Sequence, residues 1–364
     1  GLDVVRATVR ISLATKLRRY CDWYTRGLWM RREWPRLIDT FVRHRSPTVL
    51  HCHDLAMLPT VLRVADLHNL PVIADLHENW PAVKLAYATG NPFLRVWFHL
   101  LREYPRWQQQ ERRSLRSCRR IIVVVPEAKE RVIENYGLPQ CKITVVSNTE
   151  DDTTFEVDQL DETIIERYKH HWIASYVGGM GPHRGIDTAI RAAPLAAGRI
   201  PGFRLVVVGL KPKDRKRMEA YAHRYGANQC LELVDWVPAR KVASFVAASN
   251  VCLVPHNDFE HTQTTIPHKL FQYMSMQKPV LVSDCAPLKR VVDNAQSGLV
   301  FRANDHESLA NQLVKISEAG REGARRWGAA GRRAVLGAYS WRHDARRLVD
   351  MYKGLQAEED ENCG

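Results

Sequence analysis

The 364-residue sequence lacks several features that would have indicated a function directly. It has no run of about 18 apolar residues, which argues against a membrane-spanning helix. Its eight cysteines show no paired spacing and no CxxC, which argues against a zinc site and favours a reducing compartment. It also lacks the Gly-Lys-Ser/Thr end of a P-loop and any nucleic-acid-binding motif such as an RRM or a zinc finger.

Positive charge is in excess, and it is unevenly distributed. The net charge is +13, and residues 1–150 hold 24 Lys and Arg against 14 Asp and Glu, whereas residues 151–364 hold 29 against 26. This asymmetry predicts an anionic partner for the first half. Acidic lipid headgroups, a phosphorylated acceptor and nucleic acid all fit that description, although nucleic acid is disfavoured by the missing motifs.

Residues 91–120 concentrate this basic character. They contain eight arginines and two glutamates among aromatic and aliphatic side chains, with helical character interrupted at Pro105. One interpretation is a surface that lies on an anionic membrane, together with the Trp-bearing segment 18–45. The other is that the aromatic side chains belong to the core and the arginines are merely solvated.

The first half has the strand–helix–strand order of a parallel sheet. Residues 48–51 and 71–75 read as buried strands, and residues 56–67 between them read as a helix. The carboxyl ends of such strands carry ligand sites. The first strand ends in His51-Cys52-His53-Asp54, and His77-Glu78 comes shortly after the second.

These two clusters raise the question of a metal site. His51, His53, Asp54, His77 and Glu78 are all metal-ligand types, but His-x-His at a strand end shows no third ligand at a standard spacing. Bonding to nearby backbone groups is the alternative role for the histidines, and it is less favoured for His77. We therefore predict no metal site.

The second half reads as another α/β domain with a glycine-rich loop. The predicted strand 172–177 runs into Gly178–Gly185, which contains the cation Arg184, and a helix follows near Asp187. Such a strand-to-helix loop suits an anionic ligand, although alone it is a weak signal.

The central stretch of the sequence is residues 262–284, which read as loop, helix, turn and strand. Thr264 and Thr265 are candidate caps for the helix, and Pro267 fits its first turn. Three positions of this helix face outward. A helix N-terminus beside a lysine indicates an anion site. One helical turn further, the amide of a glutamine can bond ribose hydroxyls. These positions are His268, Lys269 and Gln272.

The predicted division of the chain has four parts. Residues 1–160 form an acceptor-side Rossmann-like domain that ends in an acidic linker, and residues 165–337 form a donor-binding domain. Residues 338–356 form a last helix, and residues 357–364 a tail. The sequence does not open with a strand, glycine-rich loop and helix, so we expect that unit of the first domain to lie upstream.

Taken together, these motifs resemble the family-4 glycosyltransferases of the GT-B fold, over nearly the whole chain. The order of the motifs carries the likeness better than any one of them. The motifs are His77-Glu78, the loop ending in Arg184-Gly185, Pro267–Met274 with the turn and strand Gln277–Val280, and Tyr339-Ser340-Trp341. The last of these opens a helix that in this family crosses back to the N-terminal domain.

The resemblance implies two Rossmann-like domains facing across a cleft and a retaining, metal-independent transfer from a nucleotide diphosphate sugar. It implies His77 against the donor sugar, Arg184 and Lys269 on the diphosphate, and Gln272 on the ribose, so His77, Arg184 and Lys269 are the candidate catalytic residues. Preorganised cations and a helix N-terminus suit a leaving group that gains charge. The remaining candidate donor-binding positions are Gly179, Thr264 and Thr265.

The sequence departs from the family pattern at three places. Two glutamates eight positions apart are common in the family, but here Thr264 and Gln272 stand there. Gly179 stands where an arginine is common, and Arg184 stands where a lysine is common. The lost cation would weaken diphosphate binding or shift that work to His183.

These observations predict a hexosyltransferase that acts on a glycan or lipid-linked acceptor in envelope or exopolysaccharide synthesis. We expect it in the cytoplasm, with peripheral association to the inner face of the plasma membrane left open. The alternatives are an epimerase-type enzyme on the same scaffold and a truncated, non-catalytic binding protein. The base, the sugar and the linkage stay open.

Overall fold

The computed structural model describes residues 33–89, 96, 103–150 and 160–363. The sequence interpretations of the chain opening, of the basic segment up to residue 32, of most of residues 90–102 and of the acidic linker over 151–159 lie outside this description.

The first sheet has the strand order β1-β2-β3-β4. Strands β1 and β2 are parallel, with His53 opposite Asp75, which confirms the predicted strand–helix–strand unit. All of β2 is buried, as expected for a strand covered on both faces. The elements are Glu33–Arg45 (α1), Leu50–His53 (β1), Leu58–Leu67 (α2), Val72–Leu76 (β2), Trp80–Thr89 (α3), Glu103–Ser117 (α4), Arg120–Val123 (β3), Pro126–Tyr136 (α5) and Ile143–Val145 (β4).

The second sheet is parallel and has the strand order β10-β9-β8-β5-β6-β7. Its first half is Glu162–Tyr168 (α6), Trp172–Val177 (β5), Ile186–Ala197 (α7), Phe203–Leu210 (β6), Pro212–Arg224 (α8), Leu231–Asp235 (β7) and Ala239–Ala247 (α9). Its second half is Val251–Val254 (β8), His268–Ser275 (α10), Val280–Ser283 (β9), Ala286–Ala295 (α11), Gly298–Phe301 (β10) and His306–Glu318 (α12). The helices Gly320–Leu336 (α13) and Trp341–Cys363 (α14) follow.

The described residues fall into two compact units. One holds the residues up to 76 together with 109–121, and the other holds 77–108 and 122–363. The predicted domains, 1–160 and 165–337, follow the two sheets instead, and these boundaries stay a prediction.

The beginning of α14 is fixed to the segment that follows β4. The backbone N–H of Trp341 donates to the carbonyl of Glu150 at 3.1 Å, and the Thr149 hydroxyl donates to the buried Asp344 carboxylate at 2.6 Å. None of the helices in the described part of the chain is both long enough and apolar enough to cross a membrane.

In the described part of the basic segment, one of the aromatic side chains belongs to the core. In α4, Trp107 is 1% exposed and packs edge-on against Trp80, with 5.9 Å between the ring centres. Pro105 lies within the first turn of α4, where a proline is tolerated, and so does not interrupt it. The arginines Arg106, Arg112, Arg113, Arg116 and Arg119 are exposed. The described part of this segment therefore presents positive charge without Trp107.

Candidate active site

The candidate site lies where the second sheet reverses its strand order. β5 and β8 are neighbours, but the chain continues from β5 to one side of the sheet and from β8 to the other. The loops after these two strands therefore diverge and leave a crevice, which is where ligands bind in open α/β sheets. A cavity of about 710 Å³ lies here, within the usual range for small-molecule pockets.

The cavity is built from five segments of the second compact unit. It brings together most of the site residues predicted from the sequence: His77, Arg184, Thr265, Lys269 and Gln272. The other residues of its lining are Glu78, Asn148, Val177, Gly178, Ala239, Arg240, Val242, Ala243, His256, His261, Ile266, Pro267 and His268.

Lys269 stands in the first turn of α10, and its ammonium group is buried without a hydrogen-bond partner. The nitrogen Nζ lies 3.6 Å from the centre of the Tyr176 ring, with which it makes a cation–π contact. Burial, followed by the charge of Arg184, lowers the pKa of Lys269 well below its usual value. An anion in the cavity would relieve both effects.

Gly178 makes room for this lysine. A Cβ atom on Gly178 would lie 2.5 Å from Nζ of Lys269, and its φ of +140° is one that L side chains rarely adopt. The glycine at the end of β5 and the lysine of α10 therefore form one arrangement, which brings the ammonium group to the glycine-rich loop.

The start of α10 differs from the sequence expectation. The helix begins at His268 with Pro267 as its N-cap, and no side chain caps it, so the predicted capping role of Thr264 and Thr265 is wrong. The Thr265 hydroxyl donates instead to the carbonyl of His77 at 3.1 Å. The first N–H groups of α10 are thus left without a side-chain acceptor next to the cavity.

Arg184 is held by a histidine that follows the neighbouring strand. The guanidinium nitrogen Nη1 lies 3.2 Å from Nε2 of His256, which is 1% exposed. Burial lowers the pKa of His256 far below its usual value, with the charge of Arg184 as the next cause. His256 is therefore neutral, and its Nε2 can accept from the arginine.

Gly185 fixes the two loops against each other. Its φ is +65°, and a Cβ atom there would lie 1.6 Å from the carbonyl oxygen of Pro255, the residue before His256. Only a glycine permits this approach. The close contact explains how the loop after β5 brings Arg184 to the loop after β8.

His77 is oriented by an amide side chain. Its Nδ1 lies 3.1 Å from Oδ1 of Asn148, and the Asn148 amide donates to the carbonyl of Ile266 at 3.3 Å. Because an amide oxygen only accepts, Nδ1 carries the proton in this arrangement, and the lone pair is on Nε2. Asn148 thereby sets both the ring orientation and the tautomer of His77.

Three histidines cluster near Arg184: His183, His256 and His261. The His183 ring lies 5.0 Å from the ring of His261 and 6.1 Å from that of His256, measured between centres. Burial and the charge of Arg184 lower the pKa of His183 to about 3 and that of His261 to about 4. These rings are therefore neutral near pH 7.

Three predicted positions are not brought into the cavity. Gly179 is exposed, and its carbonyl accepts from the Tyr176 hydroxyl at 2.7 Å. The Thr264 hydroxyl donates to the carbonyls of Glu260 and His261. His183, expected to supply a substitute cation, is 3% exposed and outside the lining. The low pKa of His183 removes that charge.

Sequence reasoning missed two residues that matter to the geometry, Asn148 and His256. Each follows the carboxyl end of a parallel strand, Asn148 after β4 and His256 after β8. The strand-end rule that selected His77 would have found both. It also missed the N-terminal part of α9, because nothing in the sequence of Ala239–Ala243 suggests a ligand.

Two family models match the chain. The model described as "Glycosyl transferases group 1" matches residues 159–334, and the model described as "Glycosyltransferase Family 4" matches residues 8–153. Together the two matches cover most of the sequence.

Curated relatives are distant. An alpha-maltose-1-phosphate synthase of Mycolicibacterium smegmatis is 23% identical over 263 residues, which are 68% of this chain and 66% of the relative. A D-inositol 3-phosphate glycosyltransferase of Acidothermus cellulolyticus is 23% identical over 194 residues, which are 51% of this chain and 42% of the relative. The matched regions thus span less than two thirds of these relatives.

Solved structures share the fold at low sequence identity. The sucrose-phosphate synthase of Thermosynechococcus elongatus has a TM-score of 0.72 and 19% identity, with 92% of this chain and 82% of that one covered. Anabaena HepE in complex with UDP-glucose has a TM-score of 0.68 and 13% identity, with 88% and 82% covered. A Rickettsia africae glycosyltransferase has a TM-score of 0.67 and 15% identity, with 89% and 81% covered.

Proposed function

Because the chain belongs to the family-4 glycosyltransferases of the GT-B fold, and is therefore a transferase, we propose that it transfers a hexose from a nucleotide diphosphate sugar with retention at the anomeric carbon. The proposed acceptor is a glycan or a lipid-linked saccharide. Membership in the family sets aside the two alternatives from the sequence, an epimerase-type enzyme and a non-catalytic binding protein.

The observation that carries the proposal is the unpaired ammonium group of Lys269. A buried cation without an opposite charge or a hydrogen-bond acceptor is unfavourable. A diphosphate would supply both, and it would also take the N–H groups at the start of α10. Arg184, which lines the same cavity, adds a second cation.

These groups suit the charge change of the reaction. The bond between the anomeric carbon and the β-phosphate oxygen breaks, and its electron pair leaves with the nucleoside diphosphate. A bond forms between the anomeric carbon and the acceptor oxygen, whose proton passes to the departing phosphate. Because negative charge grows on the leaving group, Lys269 and Arg184 stabilise the transition state more than the ground state. We propose that this step needs no metal ion.

His77 is proposed to bind the donor sugar. Its ring lines the cavity and is oriented by Asn148, so an interaction with a sugar hydroxyl would be fixed before the reaction begins. Gln272 lies one turn beyond Lys269 on α10 and is proposed to bond the ribose hydroxyls.

The donor and the cellular setting are proposed more broadly. A structural neighbour, Anabaena HepE, is described in complex with UDP-glucose, which makes that compound the first donor to test. The basic character of the first half supports an acceptor at an anionic membrane and a role in envelope or exopolysaccharide synthesis at the inner face of the plasma membrane.

A thermal-shift screen followed by a transfer assay tests the proposal. Among UDP-, GDP- and ADP-sugars, we expect the donors of one base to raise the melting temperature, and to raise it further with the logarithm of donor concentration, because ligand binding stabilises by mass action. With labelled donor, label should pass to water or an acceptor, and the anomer should be retained. No stabilisation by any nucleotide sugar, or isomerisation of the donor without transfer, would contradict the proposal.

A further inference from the structure

Two histidines and an aspartate meet at the carboxyl ends of β1 and β2. His51 and His53 alternate with Cys52 along β1, so the two imidazoles point to the same face of the sheet. In the parallel register His53 stands opposite Asp75, which therefore points to that face as well. Three metal-ligating side chains thus converge from two adjacent strands.

The geometry of this cluster is compact. The Asp75 oxygen Oδ2 lies 3.1 Å from Nε2 of His51 and 3.1 Å from Nδ1 of His53, and the three atoms all lie within 4.8 Å of one another. Ligand atoms around a tetrahedral zinc ion are separated by about 3.4 Å, given bond lengths near 2.1 Å. Small side-chain rotations would therefore let all three atoms reach one ion.

The donor set favours a particular class of ion. Two imidazole nitrogens and one carboxylate oxygen suit zinc and similar divalent transition metals, whereas magnesium prefers oxygen ligands. Cys52 is no ligand, because it alternates with His51 and His53 along β1 and therefore points to the opposite, buried face of the sheet. Within the described residues, no other group of three such ligands comes this close.

The degree of exposure also fits an ion that enters from solvent. The side chain of Asp75 is 10% exposed, that of His51 is 22% exposed and that of His53 is 66% exposed. The carboxylate of Asp75 thus lies at the buried end of the cluster, and the imidazole of His53 lies at its solvent-exposed end. The fixed carboxylate attracts the ion, and the exposed ring can turn to close on it.

Coordination would involve a change of tautomer at the imidazoles. Where a ring nitrogen now donates its proton to Asp75, that proton moves to the other nitrogen of the same ring, and the freed lone pair binds the ion. No net proton release is needed from a neutral imidazole, and Asp75 is already the acceptor.

We propose that His51, His53 and Asp75 form a binding site for a divalent transition-metal ion, for which zinc is the natural probe. The site joins the ends of β1 and β2, and a fourth coordination position stays open for water or an anionic oxygen. Sequence reasoning rejected a metal here because a third ligand was not identified, and the structure supplies it in Asp75, 22 residues beyond His53. The proposal does not depend on the transferase function.

The test uses the full chain without a polyhistidine tag, stripped with EDTA and dialysed. Competition with a chromophoric chelator measures zinc affinity and stoichiometry, and thermal unfolding is recorded with zinc and with magnesium. We expect one zinc ion per chain with micromolar or tighter affinity and a rise in melting temperature with zinc but not magnesium. In His53→Ala, affinity should fall at least about tenfold.

A matched control comes from the same unit. His68 forms a pair with Asp39, at 2.6 Å between Nε2 and Oδ1, outside the proposed site, so His68→Ala should bind zinc as the wild type does. His53 is exposed, so its substitution should not unfold the chain, and Asp75→Asn provides a second variant that keeps the side-chain shape. The proposal is overturned if the wild type binds no zinc in the micromolar range, if His53→Ala and Asp75→Asn bind it normally, or if His68→Ala loses binding equally.

Discussion

The ammonium nitrogen of Lys269 lies 3.6 Å from the centre of the Tyr176 ring, and it has no hydrogen-bond acceptor. Lys278 provides the contrast, since its ammonium group donates to the carbonyls of Ala247 and Ser249 at 2.6 and 3.0 Å. One buried lysine is satisfied by the fold itself, and the other is not. The unsatisfied one lines the cavity, which is the pattern expected of a group reserved for a ligand.

Replacement of Lys269 by methionine should stabilise the ligand-free protein while it weakens diphosphate binding. The substitution removes an unpaired buried charge, which costs about 1–3 kcal/mol, so the melting temperature at pH 7 should rise by roughly 2–6 °C. Calorimetry should show a ten- to hundredfold loss of affinity for the nucleoside diphosphate, with little change for the nucleoside. Lys278→Met is the control: it should lower stability and leave diphosphate affinity unchanged.

Arg184→Ala should reduce kcat/KM by roughly ten- to a hundredfold, since one charge-assisted contact to phosphate is lost. His256→Ala should show part of the same loss, because it frees the guanidinium group that Nε2 of His256 holds at 3.2 Å. In His256→Gln the side-chain oxygen can replace Nε2 as acceptor and should restore most of the activity. Equal activity of the alanine and glutamine variants at this position would show that His256 does not position Arg184.

His77→Ala should lower kcat by more than it lowers donor affinity, because the proposed contact to the sugar strengthens in the transition state. Asn148→Ala should give a smaller loss of kcat, since the ring remains but its tautomer and orientation are released. Steady-state rates with calorimetric donor affinities separate the two effects. Normal turnover in His77→Ala would assign this residue a structural role.

The buried histidines predict a loss of stability in mild acid. Their pKa values are lowered from 6.5 in the unfolded chain to about 4 for His261 and about 3 for His183, so the unfolded state binds more protons below pH 6.5. The free energy of unfolding should therefore fall from pH 6.5 to about 4. Denaturant titrations of wild type and His261→Phe at pH 7 and pH 5 test this, and the variant should lose less stability on acidification. Equal losses would mean that His261 is not the group that titrates.

Association with anionic membranes should depend on charge. The exposed arginines of α4 predict binding to vesicles that contain anionic lipid, reduced by high salt because exposed charges are screened. A variant with Arg112, Arg113 and Arg116 replaced by glutamine should sediment less with these vesicles and keep its donor affinity. Binding that is equal for neutral and anionic lipid, or indifferent to salt, would count against this surface.

The positions of the strands along the chain could be predicted from the sequence because short apolar runs alternate with amphipathic helices. Strand Trp172–Val177 lies where the pattern predicted it. Helix α13 was not predicted, since the glycines Gly323, Gly328 and Gly331 suggest a loop. At Gly328 the glycine serves packing, because a Cβ atom there would lie 2.0 Å from the carbonyl oxygen of Gln277.

The site could be predicted only in part, because its members come from distant segments. Lys269 and Gln272 share one helix, and periodicity alone places them on one face. The pairing of His77 with Asn148, and that of Arg184 with His256, depends on which strands are neighbours, which local patterns do not specify. The capping role predicted for Thr264 and Thr265 was wrong because their hydroxyls donate to backbone carbonyls and not to the helix N-terminus.

Gly185 has a practical consequence for laboratory evolution of donor preference. Any side chain there would meet the Pro255 carbonyl and separate the two loops that carry Arg184 and His256, so a mutagenesis library should keep this codon fixed. Six positions earlier in the same loop, a Cβ atom on Gly179 would meet nothing within 4 Å. Randomisation of Gly179 should leave the backbone undisturbed, and an arginine selected there would bring a further cation to the loop.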